Sequence, residues 1–551
     1  MLRYRYAFSL SKEEVKISTP PGTVHLIDNE IVRTQAGGHE YEEKHVNLQP
    51  EPSPDPADPL NWPIWRKFTV LALMSLYAAV GNISSAVLSS ALPNMVTAFA
   101  VFSPYGPPTG IEPFDQLTHL AAVNILFLGA SNIFWVPLSN TFGRRPVILI
   151  ALAMLTGFSA WAASAKSFNS LLAARALQGI GGGPSETLCP DVVGRIFFVH
   201  QKGRAIAIYT VSLALGSIIG GTVGGYIAGN LGWRWTMWIS TILAGAVFVV
   251  SVLFLPETLF DREAAMSRRV ESHQSPDPLE EKNVPSKLES VNERTYPPYT
   301  FARSLGFVKP RRGLIKNFFT PYKTLLLPGT LMVMLHYAGL VGLVVTVSTV
   351  GPTLVAAPPY LWGNNVGLIN VPGLIGTALG GVYTYLTTDW LIKRSAKRES
   401  HGFGEPETRL PLMFPTLASA TFGALIFGLV AQNPSPKGWV GLSFGYGMIA
   451  FGLMQVPSVG FNYILESYGN LSADCLLMVV VLRSIIAFSW TFFVGTWSAK
   501  AGPAEPFGIF TLLMGVFSLS VLPLWAYGKR FRIATAPLVM RADPSSAQAE
   551  R

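Results

Sequence analysis

Residues 171–229 read LLAARALQGIGGGPSETLCPDVVGRIFFVHQKGRAIAIYTVSLALGSIIGGTVGGYIAG, and this stretch decides the fold. Two apolar runs flank a short basic turn, His200-Gln201-Lys202-Gly203-Arg204. Each run is long enough to cross a bilayer core of about 30 Å, for which a helix needs ~20 residues. The first run nevertheless carries Arg175, Gln178 and Glu186. Ionisable groups at membrane depth are costly, so they face a bundle interior or a wet cavity rather than lipid. Arg175, Gly179, Gly182 and Glu186 are spaced four, three and four apart, which puts them on one helix face. The cluster Gly181-Gly182-Gly183-Pro184 is a point at which that helix can bend. In the second run Gly216, Gly220 and Gly224 form one row and Gly221 and Gly225 an adjacent one. Small residues at every fourth position let two helix backbones approach closely in lipid.

The rest of the chain has the same character. Of its 551 residues 50% are hydrophobic and only 13% charged, and mean hydropathy is +0.37. These values describe an all-α polytopic membrane protein rather than a string of soluble domains. Hydropathy places twelve transmembrane helices near 68–98, 117–138, 146–166, 171–198, 205–229, 235–256, 325–350, 365–390, 410–431, 439–463, 473–497 and 507–528. The resulting domains are a Pro-rich mobile tail (1–67), a six-helix half (68–256), a polar flexible linker (257–323), a second six-helix half (324–528) and a C-terminal tail (529–551). Cys189 and Cys475 both lie in or beside apolar runs and read as free thiols.

The net charge of +9 raises the question of nucleic acid, but its distribution answers it. Of the 41 Lys and Arg residues, only Lys166, Arg234, Lys437 and Lys500 fall in segments that this scheme makes external, and Arg175 and Arg483 lie inside spans. The remainder mark one side, which the positive-inside rule makes the cytosol, with both termini there. The bilayer, not nucleic acid, is the partner. No hydrolase elbow, phosphate-binding glycine loop or metal-ligand cluster is present, so neither an enzyme nor a cofactor or metal site is expected, and ATP-driven pumping has no domain to perform it.

Several motifs carry a resemblance. Arg175-x-x-Gln178-Gly179 resembles the fourth-helix motif of the major facilitator superfamily. Gly216-x-x-x-Gly220-Gly221-x-x-Gly224-Gly225 resembles the fifth-helix motif of its drug:proton antiporters, with Gly221 where proline is usual. Val136-Pro-Leu-Ser-Asn140-Thr141-Phe-Gly143-Arg144-Arg145-Pro146 is similar to the superfamily's loop between helices two and three; Gly143, Arg144 and Arg145 match, while Val136 and Asn140 replace the usual glycine and acid. Losing that acid leaves the arginines in need of other partners. The strings from Asp58 to Lys67, Gly232 to Trp235, Leu255 to Thr258, Glu405 to Leu410 and Tyr463 to Tyr468 also resemble fungal twelve-span drug:proton antiporters.

The resemblance implies two six-helix halves rocking about a midplane site, a small organic substrate and protons as partners, and a monomeric multi-pass protein of the plasma membrane. It implies export of a drug or secondary metabolite; uptake of an organic cation such as a polyamine is the alternative, and a non-transporting sensor a third. Glu186 is the expected proton carrier, with Arg175 and Gln178 tuning it and linking the fourth helix to its neighbours. Asn82, Ser85, Ser89, His336, Asn370 and Arg483 are candidate cavity residues, although a lone histidine such as His336 also serves as a packed hydrogen-bonding group. Arg483 needs an internal partner, for which Glu466 is a candidate by loop proximity. Gly143, Arg144 and Arg145 are assigned to gating, and the two glycine rows to helix packing.

Overall fold

The computed structural model describes residues 4–18, 20–21, 23–25, 34–36, 39–41, 53, 55–95, 112–260, 314–398 and 403–540. Two short helices, α1 (Tyr4–Ser9) and α2 (Lys12–Ile17), and a strand β1 (Val24–His25) open the chain. The first crossing is α3 (Ile64–Ala86), prolonged to Met95 through a 3-10 turn at Ser89–Ala91. The second is α4 (Glu112–Ala130) with α5 (Asn132–Phe142), the third α6 (Arg144–Ser164) and the fourth α7 (Phe168–Gly182) with α8 (Pro184–Ile196). The fifth and sixth are α9 (Val199–Asn230) and α10 (Trp233–Phe254).

The second half repeats the count. It begins with α11 (Leu314–Lys323) and α12 (Pro328–Ala356) and continues through a 3-10 segment, Gly363–Asn370, into α13 (Val371–Arg398). A strand β2 (Phe403–Gly404) precedes α14 (Met413–Gln432). The tenth crossing joins α15 (Gly438–Leu453), a π-helical turn at Val456–Gly460 and α16 (Phe461–Ser467). The last two are α17 (Ser472–Ala501) and α18 (Ala504–Leu519) with α19 (Val521–Met540). Among the described residues eleven helices are long and apolar enough to cross a membrane. The expected span 171–198 is not one of them, because the helix is divided at Pro184 and neither α7 nor α8 is long enough alone; together they make the twelfth.

The halves meet along two seams, α4 against α17 and α9 against the Gly363–Asn370 segment and α13. The glycine rows of α9 explain how closely it packs. A Cβ on Gly220 would lie 2.8 Å from the carbonyl oxygen of Ile83 on α3 and 2.9 Å from its Cα, and Gly216 and Gly224 meet the backbones of Ala79 and Val87 in the same way. The adjacent row faces the other half: Gly221 lies against the Asn370 amide and Gly225 against the backbone of Gly367. The first row therefore bonds α9 into its own half, and the second lets it lie flat on the other.

Three segments depart from expectation. Residues 4–18, 20–21 and 23–25, read as part of a mobile tail, instead dock on the second half: Ala7 is buried, and β1 pairs antiparallel with β2. The polar linker ends in the helix α11, whose Phe318 packs on Phe134 of α5; the rest of that linker, 261–313, lies outside the described residues. The twelfth crossing does not stop at 528 but continues to Met540, because Arg532 at its end is buried among acidic partners. Replacing Gly220 by alanine is expected to destabilise the protein by about 1–3 kcal/mol, since backbone must move to admit the methyl group. Gly157→Ala, where nothing lies within 4 Å, serves as the neutral control. Thermal unfolding midpoints of the detergent-solubilised proteins check the difference.

Candidate functional site

Pro184 has no amide hydrogen to give to the preceding turn, so α7 ends at Gly182 and α8 starts afresh in mid-span. That start puts Glu186 in the first turn of a helix, where the backbone dipole favours an anion. The Tyr209 hydroxyl donates to the Ser185 carbonyl at 2.5 Å and the Thr187 hydroxyl donates to Asn132 at 2.5 Å, which fixes the new turn against α9 and α5.

Glu186 forms an ion pair with Arg483 of α17, so the contact joins the two halves. Both side chains are almost wholly buried, at 2% and 5% exposure. The same Arg483 nitrogen donates to the Ser484 hydroxyl at 3.1 Å, and the guanidinium carbon lies 5.3 Å from the centre of the Tyr337 ring. Among the described residues the Nε of Arg483 has no hydrogen-bond partner. Glu186 and Arg483 stand in the wall of a central cavity. Asn82, Ser85, Ser89, Ser217, Tyr337 and Ser348 supply its other polar groups, and Ile125, Leu128, Leu213, Val341, Val344, Val345 and Met454 much of its apolar wall.

Arg175 and Gln178 lie elsewhere. Arg175 is fully buried and donates to the carbonyls of Ser84 and Ser85, both at 2.8 Å, to the Gln178 side chain at 2.6 Å and to the Leu120 carbonyl at 3.4 Å. Gln178 passes the chain on to the Ser159 hydroxyl at 2.7 Å. Ser84 and Ser85 belong to the last turn of α3, whose carbonyls have no partner within the helix, so a cation there satisfies them. The expected link from Arg175 and Gln178 to Glu186 is not made; these two residues staple the first, second, third and fourth crossings, and the partner of Glu186 is Arg483.

Of the candidate cavity residues, Asn82, Ser85, Ser89 and Arg483 line the cavity, but His336 and Asn370 do not. His336 is buried with Nδ1 2.8 Å from the Met332 carbonyl, one turn back on its own helix. Asn370 donates instead to the Ser90 hydroxyl at 3.1 Å, a bond from the second half to the first. Glu466 is not the partner of Arg483; it pairs with Arg409 at 2.7 Å. Tyr337, Ser217 and Ser348 were missed, because a hydroxyl on an apolar helix carries no charge to reveal it.

The loop around Gly143 finds the partners that Asn140 cannot provide. Gly143 has φ 104°, a conformation that lets the chain pass straight from α5 into α6. The first amides of α6, those of Arg144 and Arg145, donate to the Glu257 carboxylate at 3.1 Å each. The Arg144 side chain pairs with Asp191 of α8 at 2.5 Å, and that of Arg145 donates to the Val252 carbonyl at 2.9 Å. In the second half the polarity is reversed: acidic Glu405 and Glu407, before α14, hold basic Arg532 at the end of α19, with Lys529 on Glu405 at 2.7 Å.

Comparison with known proteins agrees with this architecture. Residues 72–473 match the family described as Major Facilitator Superfamily. The chain is similar to the MFS-type transporter C1271.10c of Schizosaccharomyces pombe, with 26% identity over 94% of this chain and 93% of that one. It is also similar to the efflux pump radE of Floropilus chiversii, with 24% identity over 89% and 86% of the two chains. The fold resembles that of the xylose transporter XylE from E. coli in a partially occluded inward-open conformation, at 16% identity and TM-score 0.55, covering 84% of this chain and 98% of that one.

Arg175→Lys is expected to cost about 2–4 kcal/mol, because a point-like ammonium cannot reach the two serine carbonyls and Gln178 together. Unfolding of the purified variant and its yield in the membrane fraction test this.

Proposed function

The chain belongs to the major facilitator superfamily, and from that premise we propose that it is a proton-coupled secondary transporter that exports a small organic molecule, a drug or secondary metabolite, by alternating access. The observation that carries this reading is the buried ion pair of Glu186 and Arg483 across the two halves, in the wall of the central cavity. The efflux pump among its relatives supports the direction of transport. In this reading the protein is a monomer of the plasma membrane, and the distribution of Lys and Arg supports cytosolic termini.

Glu186 is the proton-binding group. While ionised it is held by Arg483, and a cargo molecule has the apolar, hydroxyl-dotted cavity to itself. A proton on Glu186 removes the charge that holds Arg483 to the wall. The guanidinium, already beside the Tyr337 ring, is then free to turn further into the cavity towards its hydroxyls, and takes up space that the cargo needs. Proton and cargo thus exclude each other, which is the coupling an exchanger requires: Glu186 loses its proton towards the cytosol, cargo binds, and reprotonation from outside follows its release. Breaking a buried pair leaves an uncompensated charge, so neither partner is released without something to replace it.

The same pair weighs against uptake of an organic cation. A polyamine needs an acid that is free to receive it, and Glu186 is already neutralised by Arg483. The cavity suits an uncharged or amphipathic molecule with hydrogen-bonding groups on an apolar body. In proteoliposomes, efflux of an amphipathic fluorescent dye is expected to rise with an imposed proton gradient. Glu186→Gln, which is neutral like the protonated acid and no longer holds Arg483, is expected to abolish that rise and to weaken dye binding. A Glu186→Gln protein whose flux keeps the wild-type pH dependence overturns the carrier assignment.

A further inference from the structure

The segment comprising α1 and α2 has a fixed side and an open side. The fixed side is held by backbone carbonyls. Arg530 donates to the carbonyls of Ala7 at 3.0 Å and Phe8 at 3.2 Å, and Lys529 donates to that of Lys16 at 3.0 Å. Arg532 donates to the Pro21 carbonyl at 3.0 Å and the Thr23 hydroxyl at 3.2 Å. The open side carries apolar side chains: Tyr6 is 56% exposed and Ile17 72%. Two helices of six residues each are too short to persist in water on their own, so a surface must hold them.

The surroundings identify that surface. The Phe8 ring lies 5.9 Å from that of Tyr527 and 5.6 Å from that of Phe531, and Tyr4 lies 6.4 Å from Phe531. Tyr527, Trp525 and Leu522 are exposed along α19, part of an apolar membrane-crossing segment, so the open side of α1 continues a face that meets lipid. On its other flank the Tyr4 hydroxyl reaches the Leu326 carbonyl at 3.5 Å, and Leu325 and Leu326 at the entry to α12 are exposed as well. The short helices therefore lie between two lipid-facing surfaces, at the level where crossings begin and end. Arg5, Lys12 and Lys16 accompany the aromatic rings, against Glu13 and a Glu14 that is engaged with the Ser11 amide at 2.7 Å. Aromatic residues with flanking cations are the composition that settles at the headgroup boundary.

We propose that residues 4–17 are an interfacial anchor whose open face, carrying Tyr6 and Ile17, lies in the headgroup–acyl boundary of the bilayer, with phospholipid as its partner. The anchor is attached to the end of α19 and to β2, so it fixes the level of the second half in the membrane.

The test uses the full chain in phospholipid nanodiscs. Cys189 and Cys475 are buried, so a single introduced cysteine takes an environment-sensitive fluorophore selectively. Labels at Tyr6→Cys and Ile17→Cys are expected to be quenched several-fold more by phospholipids carrying a nitroxide near the headgroup than by aqueous iodide, and a label at Glu13→Cys the reverse. Equal access of iodide to positions 6, 13 and 17 overturns the proposal and leaves that face to a soluble partner or a second copy. Because a label can disturb docking, the unaltered protein is also irradiated with a phosphatidylcholine bearing a photoactivatable group near its headgroup. Adducts within residues 4–17 are expected, and their absence counts against the anchor as firmly as iodide access does.

Discussion

A charge buried in a membrane protein must be answered by another charge, and here that rule governs the arrangement of the whole bundle. Glu186 and Arg483 are 297 positions apart in the chain, yet they meet at the centre of the molecule. Their contact requires the fourth crossing to break at Pro184, the eleventh to lie along the second, and the two halves to face each other across a cavity. Two such ions removed from water cost several kcal/mol each, which their attraction offsets only when the geometry is good. The pair is accordingly a poor source of stability and a good place for a switch.

Around this centre each half is held by its own clasp. In the first, the amide ends of α6 grip Glu257, and Arg144 grips Asp191. In the second, Glu405 and Glu407 grip Arg532. The two arrangements occupy corresponding places with the signs exchanged, since the loop is basic in one and acidic in the other. What the fold repeats is therefore a bond between the loop after the second crossing of each half and the region of its last helix, with the charges placed on opposite sides in the two halves. Arg175 adds a third fastening at the opposite end, where it completes carbonyls that α3 leaves open.

The crossings, their grouping and the rows on α9 were legible in the sequence because each is a local pattern of apolar or small residues. Glu186 stood out for the same reason: one acid in an apolar run is conspicuous. Its partner was not legible, because pairing is a property of depth and packing that no spacing records, and Glu466 was nearer to Arg483 in the chain. Arg175 drew attention for the right reason, yet its ligands are backbone carbonyls of α3, which no side chain announces. The docking of the N-terminal segment was hidden in the same way, since Ala7, Phe8, Lys16 and Pro21 take part through carbonyls that any residue possesses. Pro184 was read as a bend; that it begins a new helix, with Glu186 in its first turn, depended on where the neighbouring helices stood.

The bare second row of α9 has one more effect. Gly225 meets the backbone of Gly367 and one methyl of Val366, and Gly221 meets only the tip of Asn370. Interlocking side chains would have to leave their rotamers before such a surface parted, and each would add friction to the movement. A smooth backbone contact parts without that step, so its resistance grows with contact area and hardly at all with shape. With glycine where proline is usual, α9 runs from Val199 to Asn230 without a proline, and the seam is made of backbone with few side chains to disengage.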